Sequence, residues 1–161
     1  MASGDTLLEF FPQQNEPPAA NFATVDLRNG HLVLDFDDTT AEYAIFKAIM
    51  PRNYSGGGLT AYVHYACTSA TSGTAYWAIE FERIGDQQQD IDSDSFAGAN
   101  QGNGSVPGTS GMIDVIPIAF SNSEIDGVLV GEAFRIRLSR SVDDDSISGD
   151  LELLGIEIKE T

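Results

Sequence analysis

Short apolar runs of period two recur along this chain, each closed by Gly, Pro, Asn or Asp. No stretch carries the 3.6-residue period of an amphipathic helix. A chain patterned this way can bury its apolar faces only by pairing strands and stacking sheets. Residues 22–28 lead into Asn29-Gly30, the strongest two-residue hairpin signal, and residues 31–36 answer with Leu32, Leu34 and Phe36 on one face. Residues 42–50 are too densely apolar to fix a period; Pro51 and the neighbouring strands favour a strand. In residues 59–68, Val63, Tyr65 and Cys67 share one face, Tyr62 and His64 the other. Residues 74–84 turn Trp77, Ile79 and Phe81 inward and Tyr76, Glu80 and Glu82 outward. These two runs are expected to form an antiparallel hairpin across the turn at 69–73.

Three more runs close the chain. Residues 112–120 contain Pro117, which fits an edge strand or a bulge. Residues 128–141 alternate Phe134, Ile136 and Leu138 with Arg135, Arg137 and Ser139. Residues 150–160 change phase: Leu151 and Leu153 lie on one parity, Ile156 and Ile158 on the other. Gly155 stands at the slip, where a β-bulge would restore the inward face. The expected fold is all-β, an antiparallel β-sandwich of about eight or nine strands, jelly-roll-like because opposite sheets need long connections.

At 161 residues the chain is one domain's length. Residues 11–20, with Pro12, Pro17 and Pro18, cannot be helix or interior strand, and residues 1–21 are expected to form an extended N-terminal arm, followed by a sandwich domain over 22–161. Phe10 and Phe11 suggest that the arm packs on its own domain or on a neighbouring subunit. Residues 85–111, rich in Gly and Gln, read as a long loop without regular structure, a feature often functional.

Eight Lys and Arg against 25 Asp and Glu give a net charge of −17, which argues against direct binding to nucleic acid or to an anionic membrane. No apolar run reaches membrane-spanning length. The opening residues lack a basic region and read as no secretory signal, so the protein is expected to be made in a cytoplasm. Cys67, the only cysteine, can form no intramolecular disulfide and reads as a small core hydrophobe.

No catalytic pattern stands out, and a non-enzymatic role is expected. His31 and His64 have neither triad nor zinc spacing. Gly56-Gly57-Gly58 lacks the Lys of a phosphate loop. Glu80 and Glu82 share an outward face, a weak glycosidase signal. Asp86, Asp90, Asp92 and Asp94 alternate in a loop as oxygen ligands for calcium would, although the EF-hand pattern fails; a solvated acidic loop is the competing reading. The acidic turns with Asp35, Asp37 and Asp38 and with Asp143-Asp144-Asp145 read as solvated tips. Arg135 and Arg137 are expected to pair with carboxylates, within the chain or across a subunit contact. Tyr62 and Tyr76, on the polar faces of runs expected to be adjacent, could line a glycan platform, with ordinary cross-strand aromatic pairing as the alternative.

Residues 15–24, 28–36, 50–60, 81–84 and 90–96 together resemble a group of small virion proteins of tailed bacteriophages and prophages, over most of the chain. The resemblance implies a structural protein of the virion, similar to capsid decoration (cement) proteins, forming a homotrimer on the major capsid protein. In that role Phe10, Phe11, Pro17, Pro18, Arg135 and Arg137 would make capsid or subunit contacts. The alternative is a carbohydrate-binding β-sandwich, calcium-dependent through the acidic loop, on a virion or tail fibre; a tail or baseplate component is a third reading.

Overall fold

Strand after strand, the period-two runs pair as their patterns require. The computed structural model describes residues 4–161; residues 1–3 of the expected arm lie outside the described residues. Ten strands occur among them: β1 (Thr6–Phe10), β2 (Thr24–Arg28), β3 (His31–Phe36), β4 (Tyr43–Ile49), β5 (Leu59–Cys67), β6 (Thr74–Ile84), β7 (Asn100–Ser105), β8 (Asp114–Phe120), β9 (Ala133–Arg140) and β10 (Leu151–Glu160). One sheet has the order β2-β3-β10-β5-β8, with β1 also paired to β10; the other has the order β4-β9-β6-β7. All the ladders between these strands are antiparallel, and the inner faces bury one continuous core around Trp77, Phe36, Phe46, Phe81 and Phe134. The fold is the expected all-β sandwich.

Three local signals act as read. Asn29 and Gly30 both take positive φ, 48° and 82°, closing β2 onto β3 with Arg28 opposite His31. The β10–β5 register shifts between Leu153 and Gly155, so Leu151, Leu153, Ile156 and Ile158 all face the core. β8, with Pro117, is an edge strand.

Two expectations about strand pairing need correction. β5 and β6 form no hairpin: they lie in opposite sheets, so the turn after Cys67 carries the chain across the sandwich. The alternation of both runs is satisfied equally by either arrangement, because each has one inward face. The 85–111 segment is not all loop, since β7 runs through it and pairs with β6. At Gly102 of β7 no side chain would fit: a Cβ there would stand 2.6 Å from the Pro117 carbonyl oxygen of β8. The two sheet edges close on each other there, and Asn100 Nδ2 donates to the Ala119 carbonyl at 2.8 Å.

The N-terminal segment packs on its own domain. β1 adds to the edge of β10 beyond β3, and Phe10 is 1 % exposed, its ring 5.5 Å from that of Phe46. Phe10 is therefore a core residue and is not available for the subunit or capsid contact expected of it. Phe11, Pro17 and Pro18 lie at or near the surface.

Candidate functional site

The outer faces of the two sheets differ. On the β4-β9-β6-β7 sheet, Glu80 lies opposite Arg137 and Glu82 opposite Arg135, and each pair forms a salt bridge. Phe96, from the acidic segment, lies over both guanidinium groups with its ring centre 5.0 and 4.6 Å away, and the Tyr43 ring takes Arg137 at 4.8 Å. Of the two pairings open to Arg135 and Arg137, the intrachain one is realised. Their charge is spent inside the molecule, which removes the basis for the capsid contact expected of them. The same pairing ties up Glu80 and Glu82.

The outer face of the six-stranded sheet is open. A depression of about 450 Å³ is lined by Glu9, Phe11, His64, Ile113, Leu154 and Glu157. A second, of about 250 Å³, lies beside it over Arg28, His31, Val33, Ala66 and Glu152, and shares Ile113 and Leu154 with the first. Together they make one groove along β10. Gly155 builds its floor: a Cβ there would stand 3.2 Å from both the Phe10 carbonyl and the Phe11 ring, so the bare backbone lets the ring lie on the strand. Phe11 is 44 % exposed, and His64 stands opposite Gly155 on β5. At the far end Arg28 reaches across the sheet; its Nη1 donates to the Cys67 carbonyl at 2.6 Å and to Glu152 Oε1 at 3.0 Å.

Carboxylates meet in pairs along this edge of β10, and among the described residues Arg28 on Glu152 is the one cation paired with any of them. Glu9 lies directly opposite Glu157, and Asp35 directly opposite Glu152. Glu152 is 4 % exposed; its Oε2 and the buried Asp35 Oδ1 have no hydrogen-bond partner. Burial first, then Glu152, Asp26 and Asp150, push the Asp35 carboxyl up to about 6. Burial likewise raises the Cys67 thiol, consistent with a core residue rather than a reactive one.

Tyr62 and Tyr76 do not share a platform: Tyr62 faces outward from β5 and Tyr76 from β6, in opposite sheets. The expected adjacency depended on the hairpin that does not form. Asp86, Asp90, Asp92 and Asp94 do not converge; among the described residues the group that brings three such oxygens within 4.8 Å is Asp37, Asp38 and Asp150. The loop instead makes a local turn, Asp90 Oδ1 accepting the Asp92 N–H at 3.0 Å. The Asp37 group is occupied by its own backbone, with Asp37 Oδ1 accepting from Thr39 and Thr40 and Asp38 Oδ2 from Gly149. Asp145 is no solvated tip, because its carboxylate takes the fully buried Arg140 at 2.7 and 2.8 Å.

Composition pointed to none of the groove's members. One signal was present in the sequence: Leu154, an apolar residue on the outward parity between Glu152 and Glu157, is what an uncovered apolar floor leaves behind.

No family model matches the chain, and no curated relative does. Solved structures do. The C-terminal CBM6 of LamC, a marine laminarinase from Zobellia galactanivorans, aligns over 97 % of this chain and 100 % of its own, with TM-score 0.51 and 14 % identity. A family 35 carbohydrate-binding module from an environmental isolate aligns over 94 % of this chain and 92 % of its own, with TM-score 0.54 and 9 % identity. The chain shares their jelly-roll β-sandwich fold. At such identities the likeness is one of architecture, and function has to be argued from the groove itself.

Proposed function

We propose that this protein is a non-catalytic carbohydrate-binding module that holds a saccharide in the groove along β10. The observation that carries this reading is the exposed Phe11 ring, set over Gly155 beside His64, at the wall of a depression whose floor is apolar and whose ends carry hydrogen-bonding carboxylates. A pyranose ring presents C–H bonds on its faces and hydroxyls at its edge. An aromatic wall takes the first and carboxylate acceptors the second. The fold likeness supports the same reading as an analogy, and the open outer face of the six-stranded sheet supplies the space that the phage-derived reading leaves unexplained.

Titration calorimetry against a panel of soluble oligosaccharides tests it. Phe11→Ala is expected to weaken binding at least tenfold, about 1.4 kcal/mol, with an unchanged melting temperature because the ring is partly exposed. A panel without any saturable binding would sink the proposal.

A second reading, a virion protein that coats a capsid as a trimer, has one observation in its favour. Edge strand β2 leaves Val25 and Leu27 59 % and 63 % exposed beside Phe22, an apolar border that a partner could cover. A stable trimer by light scattering, with binding to empty capsids and none to saccharides, would favour it.

A further inference from the structure

We infer that the groove selects sugars bearing a primary amine, as in a glucosamine oligomer, over neutral or acidic ones; this rests on the groove being a saccharide site. Two placements on this face cost stability. Like charges directly opposite each other across a β-ladder repel. This sheet has two such pairs on its outer face, Glu9–Glu157 and Asp35–Glu152, both along the same edge of β10. Glu157 and Glu152, five positions apart on β10, put them at opposite ends of the groove, roughly 16 Å by strand rise.

One of the four carboxylates has a cation against it, Glu152 through Arg28 at 3.0 Å; Glu9, Glu157 and Asp35 are in no ion pair among the described residues. Arg28, the cation that lines it, divides its donors between Glu152 Oε1 and the carbonyls of Cys67 and Thr68. Lys159 lies further along the face, over the Tyr62 ring at 5.8 Å. Glu157 Oε1 accepts a hydrogen bond from Thr6 Oγ1, which carries no charge. At the other end Glu152 lines the cavity almost fully buried, and its Oε2 has no donor. A buried carboxylate oxygen without a donor costs free energy that a ligand can recover. An ammonium group offers three N–H donors and a positive charge, and a charge-assisted hydrogen bond is roughly twice as strong as a neutral one. A sugar hydroxyl recovers less, and a uronate or sulfate would add a third like charge.

The test compares three short oligosaccharides of equal length by calorimetry, in about 0.15 M salt: a glucosamine trimer, its N-acetylated form and a uronate-containing trimer. The pH is ~5.5, acidic enough to keep the sugar amines protonated while ordinary carboxylates stay ionised. The glucosamine trimer is expected to bind at least tenfold tighter than the N-acetylated one, and the uronate not measurably. The double variant Glu9→Gln, Glu157→Gln keeps the fold, since it removes a repulsion, and is expected to bring the ratio of the first two towards one. Glu152→Gln, checked for an unchanged melting temperature because it alters the Arg28 pair, should do the same from the other end. Asp92→Asn, on the exposed acidic loop, should leave the ratio intact. An equal fall for Asp92→Asn would reduce the preference to the protein's net charge and overturn the inference. Equal or tighter binding of the N-acetylated trimer would overturn it while leaving the saccharide reading standing. Absence of binding by all three would remove both.

Discussion

Two carboxylates read as solvated, the buried Asp145 and the half-buried Asp35, show how differently this protein treats its negative charge. Asp145 lies beneath the surface with Arg140, whose remaining donors reach the carbonyls of Ile147 and Gly149 at 2.8 Å, so the charge is matched. The Asp143-Asp144-Asp145 run gave no hint which aspartate would turn inward, because the choice is made by an arginine that must itself be buried. Asp35 has no such partner. Burial and its acidic neighbours push it up to about 6, so the folded protein holds that proton more tightly than the unfolded chain does. Its contribution to stability is therefore fully present below pH ~4 and is lost as pH rises through about 6. Asp35→Asn, which mimics the protonated group, is expected to raise the melting temperature at pH 7–8 and change it little at pH 4. Equal effects at both ends of that range would mean that the side chain acts through packing alone.

At the scale of elements, strand identity was largely legible and strand partnership was not. Gly155 at the phase slip, Pro117 on the edge strand and the Asn29-Gly30 turn each act through their own backbone, so their neighbours in sequence suffice to read them. The partner of β5 is chosen by sheets that assemble over the whole chain, and alternation looks the same whichever partner wins. β7 escaped because its sequence answers to a strand of the other sheet. Gly102 stands where β7 approaches β8, and a methyl group would meet Pro117 O, Ile118 Cγ1 and Ile116 Cγ2 at 2.6–2.9 Å. Gly104, two residues on, would meet its nearest neighbour at 3.4 Å. Gly102→Ala is thus expected to cost about 1–3 kcal/mol in urea denaturation by forcing the sheet edges apart, and Gly104→Ala much less. Similar costs for both would place the penalty in strand entropy or solvation rather than in the close approach.

For the whole molecule, the net charge of −17 was read as a limit on partners; the structure gives it an internal distribution. Six of the eight Lys and Arg side chains are held in ion pairs, Arg140 fully buried and the others partly exposed: Arg28, Lys47, Arg83, Arg135, Arg137 and Arg140. Most carboxylates are left to repel one another. The groove could not be read for the same reason: its lining comes from positions 9, 11, 64, 113, 154 and 157, and only the closed sandwich sets Glu9 against Glu157. Such self-repulsion destabilises the compact state and is screened by salt over a Debye length near 10 Å at 0.1 M. The buried pairs, already shielded, weaken far less than the surface repulsion does. Raising sodium chloride from about 0.02 to 0.5 M should therefore raise the melting temperature, and each ~1 kcal/mol recovered corresponds to about 2–4 °C for a domain of this size. Choline chloride at equal ionic strength should give the same rise, since the effect is screening. A rise with sodium alone would point to bound cation, and a flat or falling melting temperature would mean that the ion pairs, not the surplus carboxylates, dominate the electrostatics of the fold.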